Sequence, residues 1–139
     1  MLTRVLLALV MICGMAVAGS AEEAKVLALG ITDHEVTEAE LDKGDALPAP
    51  HFNTPAVAYA LAANLKKGDI VEISLSVGDT SLLHNTQTLA EDQAKLLLQA
   101  GKRGVPAGGW PEGTYHAELK ITREGKPVIS ESSKPITFD

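Results

Sequence analysis

Ala56-Val57-Ala58-Tyr59-Ala60-Leu61-Ala62-Ala63-Asn64-Leu65 is the stretch whose conformation sets the fold class. Its surroundings are those of a helix: Thr54 in a capping position, Pro55 where a first helical residue would stand, and Gly68 as a terminator. Alanine and leucine are also good helix formers. Yet Val57, Tyr59, Leu61, Ala63 and Leu65 alternate without a break, the period of a strand. The same conflict recurs at Leu89 to Ala100. There Thr88-x-x-Glu91 resembles a capping box and Gly101 a stop, while Ala94, Leu96, Leu98 and Ala100 alternate against Lys95, Leu97 and Gln99.

The flanking chain is less equivocal. Ile70 to Val77 sets Val71, Ile73, Leu75 and Val77 against Glu72, Ser74 and Ser76, between Gly68-Asp69 and Gly78-Asp79 turns. Tyr115, Ala117, Leu119 and Ile121 alternate with His116, Glu118, Lys120 and Thr122, as expected of a sheet with one packed and one wet face. Lys25 to Thr32 opens the domain with Leu27, Leu29 and Ile31 against Val26, Ala28 and Gly30. Glu124-Gly125 between Arg123 and Lys126 predicts a tight hairpin, because glycine supplies a positive φ without steric cost. The returning segment carries Pro127 and Pro135 and is therefore predicted at an edge or interrupted, since proline cannot donate to a ladder. Asp33 to Pro55, acidic and rich in turn residues, reads as a long surface connection with one short edge pairing around Glu35 to Thr37. A sheet with one apolar face needs a second apolar layer, and two more strands or two helices could supply it.

The order of these elements resembles a known pattern. A Lys-Lys-Gly-Asp turn between strands, then Gly109-Trp110-Pro111-Glu112-Gly113-Thr114-Tyr115 leading into a strand, a Glu-Gly hairpin and a last strand ending at Phe138 are similar to the immunoglobulin-like or fibronectin-type-III-like sandwiches of exported bacterial proteins. In that resemblance Tyr115 corresponds to a tyrosine corner. Two departures stand out: the domain lacks a cysteine pair, and Trp110 lies in the corner instead of on an early core strand. The resemblance implies strands at both equivocal segments, hence an all-β, immunoglobulin-like sandwich of about seven antiparallel strands. It implies no activity, because such folds host many.

The N-terminus reads as a secretory signal, residues 1–21: Arg4, an apolar run from Val5 to Val17, then Ala16-x-Ala18 and Gly19-x-Ala21 as cleavage choices, of which cleavage after Ala21 is preferred. The run is shorter than the ~20 residues that span a bilayer. Cys13 sits inside that run behind bulky Ile12, which argues against lipidation. Residues 22–139 then form one cysteine-free domain in the periplasm or outside the cell, large enough for a single core. Loss of Arg4 takes the formal charge from −6 to −7. Nucleic acid and anionic bilayers are therefore poor partners, and the partner expected is an envelope or extracellular protein.

Chemistry is sparsely encoded, and no cofactor is expected. His34, flanked by Asp33 and Glu35, could form a surface copper or zinc site with His51, but none of His34, His51, His84 and His116 shares a ligand spacing. The acids from Asp33 to Asp45 lack the alternation of a calcium loop. No serine lies in a Gly-x-Ser-x-Gly elbow, so a hydrolase has no motif. Trp110 is the candidate binding residue if its ring is exposed at the corner, and a core-capping residue if it is buried. The expectation is a non-catalytic binding or accessory module that contacts a protein through a sheet edge or the loops near Trp110.

Overall fold

The computed structural model describes residues 23–102 and 104–139. The expected signal segment and Cys13 lie outside the described residues. Among the described residues eight strands run in order β1 (Lys25–Thr32), β2 (Ala56–Leu65), β3 (Ile70–Val77), β4 (Thr80–Thr88), β5 (Gln93–Lys102), β6 (Thr114–Arg123), β7 (Lys126–Ser132) and β8 (Ile136–Thr137), with one short helix, α1 (Glu38–Asp42), after β1. They form two antiparallel sheets, β1-β2-β5 and β4-β3-β6-β7, and β8 pairs β6 beyond the end of β7. Both equivocal segments are strands, β2 and β5, and the architecture is all-β.

Which face of β2 points inward follows from size. Ala56, Ala58, Ala60 and Ala62 line the core against Val71, Ile73, Leu75, Leu119 and Ile121 of the other sheet. Small residues on one layer let large ones on the other interdigitate at close-packed density. The bulkier Val57, Tyr59 and Leu61 point outward, yet Val57 and Leu61 are buried.

Part of that outer face is covered by the connection between β1 and β2. Thr32 Oγ1 donates to Pro48 O at 2.7 Å, and Pro50 is fully buried. Gln99, opposite Tyr59 on β5, accepts from Val36 N at 2.8 Å and donates to Val36 O at 3.0 Å. The edge pairing expected around Glu35 to Thr37 is thus made by one glutamine side chain that imitates a backbone partner. Tyr59 lies across Gly30, where a Cβ would come within 2.6 Å of its hydroxyl oxygen.

Two expectations need refinement. In β1 the register shifts between Val26 and Ala28, so Val26, Leu29 and Ile31 pack against the core while Leu27 is 43% exposed. A bulge inserts one residue and inverts the alternation beyond it. β4, absent from the sequence reading, follows β3 through the two-residue Gly78-Asp79 turn, with Gly78 at φ 56°. The Glu124-Gly125 hairpin forms as expected with both residues at positive φ, 53° and 79°, as a type I′ turn demands. The proline-bearing last segment is both at an edge and interrupted. Between β7 and β8, Ser133 maintains pairing: its N–H donates to Ala117 O and its Oγ accepts from Ala117 N, both at 2.8 Å.

Candidate functional site

The corner before β6 is built from the C-terminus inward. Phe138 stacks on Tyr115 with ring centroids 3.9 Å apart and receives Trp110 edge-on at 6.1 Å. The Tyr115 hydroxyl donates to Pro111 O, four residues upstream, and burial pushes the phenol pKa up. Trp110 is only 6% exposed. Its indole N–H donates to Thr54 O at 2.8 Å and its backbone N–H to Phe52 O at 2.9 Å. A ring so enclosed caps the core and presents no open face for a sugar or a peptide. The exposed aromatic at this end is Phe52, 49% accessible. It lies over Gly109, whose φ of 90° and missing Cβ make room for it. Single exposed rings are ordinary on surfaces and identify no site alone.

His34 is the most strongly perturbed histidine. Its Nδ1 lies 2.7 Å from Asp33 Oδ1 and its Nε2 2.6 Å from Glu40 Oε2. Ionised carboxylates only accept, whereas a neutral imidazole has one N–H, so two such bonds require the imidazolium. The hydrogen bonds that His34 donates to Asp33 and then to Glu40 accordingly raise its pKa. Glu40 sits on α1, whose N-terminus is capped by Thr37 Oγ1 accepting from Glu40 N. A histidine with both nitrogens given to carboxylates has no lone pair for a metal. His51 occupies a separate turn, its N–H donating to Thr54 Oγ1. Among the described residues no group of three or more His, Cys, Asp or Glu side chains could hold a metal ion.

A serine, a histidine and a carboxylate do meet on the outer face of the larger sheet. Ser76 Oγ donates to Glu118 Oε1 at 3.4 Å, and His116 Nε2 lies 3.6 Å from Glu118 Oε2. The order is unsuited to nucleophilic catalysis, because the base must contact the serine and here the carboxylate stands between them. The nearby dimple, about 110 Å³, is lined by Glu72, Ser74, Glu118 and Lys120 on that same wet face.

The remaining buried charge is structural. Asp69 is fully buried and accepts from Arg123 Nε at 2.9 Å, from Arg123 Nη2 at 2.8 Å and from Lys66 N at 2.8 Å. Burial alone would raise its pKa, but the Arg123 fork and the Lys66 amide together hold it below the ordinary carboxylate value. Arg123 Nη2 also reaches Asn64 O at 3.3 Å, tying β6 to the β2–β3 turn. Lys67 N donates to Asp92 Oδ1 and Gly68 N to Leu89 O, which fastens that turn to the β4–β5 connection.

What stays open is backbone. β4 is the outermost strand of its sheet, and all its residues except half-buried Leu82 and Leu83 are exposed. Among the described residues it pairs with β3, and Asn85 Nδ2 reaches across to β5, donating to Gln99 O at 2.9 Å. The chain matches no protein-family model, and no curated protein matches its sequence.

Proposed function

We propose that the chain is an exported sandwich of the immunoglobulin-like or fibronectin-type-III-like kind that works outside the cytoplasm as a non-catalytic protein-binding module. Two features support the family half. The first, second and fifth strands share one sheet while the fourth, third, sixth and seventh share the other, a Greek-key interleaving of such domains. The Tyr115 hydroxyl bonded to Pro111 O at the start of β6 also has the form of a tyrosine corner.

The observation that carries the binding half is the contrast between side chains and backbone. His34, Asp69, Trp110 and Ser76 are each engaged in bonds within the fold, whereas strand edges are available for β-strand addition, in which main-chain bonds supply the affinity. The test is expression of the full chain in its native envelope, with mass measurement of the product and cross-linking from surface positions. The expected result is a chain beginning at Glu22 with reproducible cross-links to one envelope or extracellular protein. A chain kept uncleaved in the cytoplasm, or one cross-linked to nothing at native abundance, overturns the reading.

A further inference from the structure

We infer that the free edge of β4 is the docking strand, and that its occupant is an extended, basic segment of a partner protein added antiparallel or parallel to it. The inference rests on the binding reading above and goes beyond it by naming the edge and the chemistry of the partner.

Five strands lie at sheet edges among the described residues; β8 is two residues long, and the other four differ in how they resist pairing. β7 carries Lys126, Pro127 and Glu131 and then breaks before Pro135. β1 begins with Lys25 and bulges at Leu27. β5 carries Lys95, and around Gln99 it is occupied by Val36 through the side chain and by Asn85 through the carbonyl. Charge, proline, bulges and covering segments are the devices that keep edges from recruiting strands. β4, Thr80-Ser81-Leu82-Leu83-His84-Asn85-Thr86-Gln87-Thr88, has neither a charged residue nor a proline. Its one bulge lies near the hairpin, between the positions opposite Leu75 and Ser76, leaving Leu83 to Thr88 in continuous register with β3.

The position of β4 also prepares it for a neighbour. Asn85 and Gln87 share the sheet face of Ile73 and Val71, which are buried, yet both are exposed. β4 therefore overhangs the smaller sheet. A strand added outside it would continue the larger sheet, and its inward side chains would come down beside the half-buried Leu83 of β4 and Leu96 of β5. Apolar residues at alternate positions of the incoming segment suit that side.

Charge selects the partner. Asp79 precedes β4, Glu91 and Asp92 follow it, and Glu72 and Glu118 stand on the adjoining outer face, five acids against Lys95, Lys120 and the Lys66-Lys67 pair beside Asp92. With a formal charge of −6 for the whole chain, a second copy is repelled and a lysine- or arginine-bearing segment is drawn in.

The test uses the chain purified after export and three fluorescein-labelled peptides: alternating valine and threonine flanked by lysines, the same core flanked by glutamates, and the β4 sequence itself. Fluorescence anisotropy at low salt is combined with amide exchange. The expected result is saturable binding of the lysine peptide alone, slowed exchange confined to alternate β4 amides, and at least tenfold weakening when one of the two alternate sets of peptide amides is N-methylated, the other set being tolerated. Strand addition predicts that asymmetry because only every second residue of an edge strand faces its neighbour. Equal binding of the glutamate peptide, binding of the β4 peptide or a dimer of the chain, protection on β1, β5 or β7, or no saturation up to about millimolar each overturn the inference. Protection at another edge with lysine selectivity would leave the protein-binding reading standing while removing β4 from it.

Discussion

Arg123→Met removes the guanidinium while keeping an unbranched side chain of similar reach, and it leaves Asp69 buried beside Lys66, whose N–H still donates to it. Breaking a buried ion pair from one side costs about 3–5 kcal/mol, because the surviving charge is left without compensation. The Arg123 side chain is 25% exposed, so water can partly replace it and the lower end, about 3 kcal/mol, applies. For a domain of this length the entropy of unfolding makes that a fall in Tm of roughly 12 °C. Urea unfolding at neutral pH measures the loss directly. The pH dependence distinguishes this cause from lost packing. In the wild-type domain the folded pKa of Asp69 lies below its unfolded value, so its contribution is complete above the unfolded pKa and disappears as pH falls through the folded one. In the variant burial is opposed by Lys66 alone, through its N–H and its charge, so the carboxyl pKa rises and protonation relieves the stranded charge. The gap between wild type and variant should therefore close as the carboxyl protonates in both. A loss under about 1 kcal/mol, or one independent of pH down to the acid transition, would refute an electrostatic role for the pair.

His34 should titrate above the ordinary imidazole value by NMR, since two carboxylates hold its protonated form. Its folded pKa exceeds the unfolded value, so its stabilisation is full below the unfolded pKa near 6.5 and is lost as pH rises through the folded pKa. The side chain is 40% exposed, which limits the effect to under about 1 kcal/mol; His34→Gln should abolish that segment of the stability profile, and an unchanged profile counts against the clamp. Gly109→Ala places a Cβ 2.6 Å from Phe52 Cδ2 and 3.0 Å from Phe52 O at a φ of 90°, and calorimetry should show a loss of about 2 kcal/mol from strain together with displacement of Phe52. A variant as stable as the parent would mean that the corner is pliable.

The legible part of the fold is the part where side-chain period and turn chemistry agree. β3 and β6 alternate cleanly, and Glu124-Gly125 specifies its turn by itself. The helix signals around β2 and β5 were overridden because β2 is flanked by β1 and β5, and both β2 and β5 bury small or medium residues against the opposite sheet, a tertiary gain that local propensity cannot register. Thr-x-x-Glu occurs at 32–35, 37–40 and 88–91, and of the three only 37–40 caps a helix. At 88–91 the chain is instead committed by Leu89, whose N–H and carbonyl bond Asp69 O and Gly68 N. β4 escaped notice because its alternation is polar on both sides, as an overhanging edge strand permits. The bulge at Leu27 was hidden because Leu27, Leu29 and Ile31 are interchangeable in hydropathy.

The candidate site was less legible for a physical reason. Motif reading finds chemistry carried by side chains, and it directed attention to Trp110, the histidines and the serines. The fold spends those groups on itself: Trp110 bridges Thr54 and Phe52, His34 joins Asp33 to Glu40, and Ser76 leans on Glu118. Strand addition, the mode of binding proposed, uses N–H and C=O groups that every residue carries, so it leaves no positive motif. Its trace is negative and becomes visible only by comparing edges: Lys126, Pro127, the Leu27 bulge and the Val36–Gln99 contact guard three of them, while Leu83 to Thr88 has no such guard. That asymmetry needs the strand order before it can be seen, which is why β4, unmarked in the sequence, becomes the surface of interest once its neighbours are known.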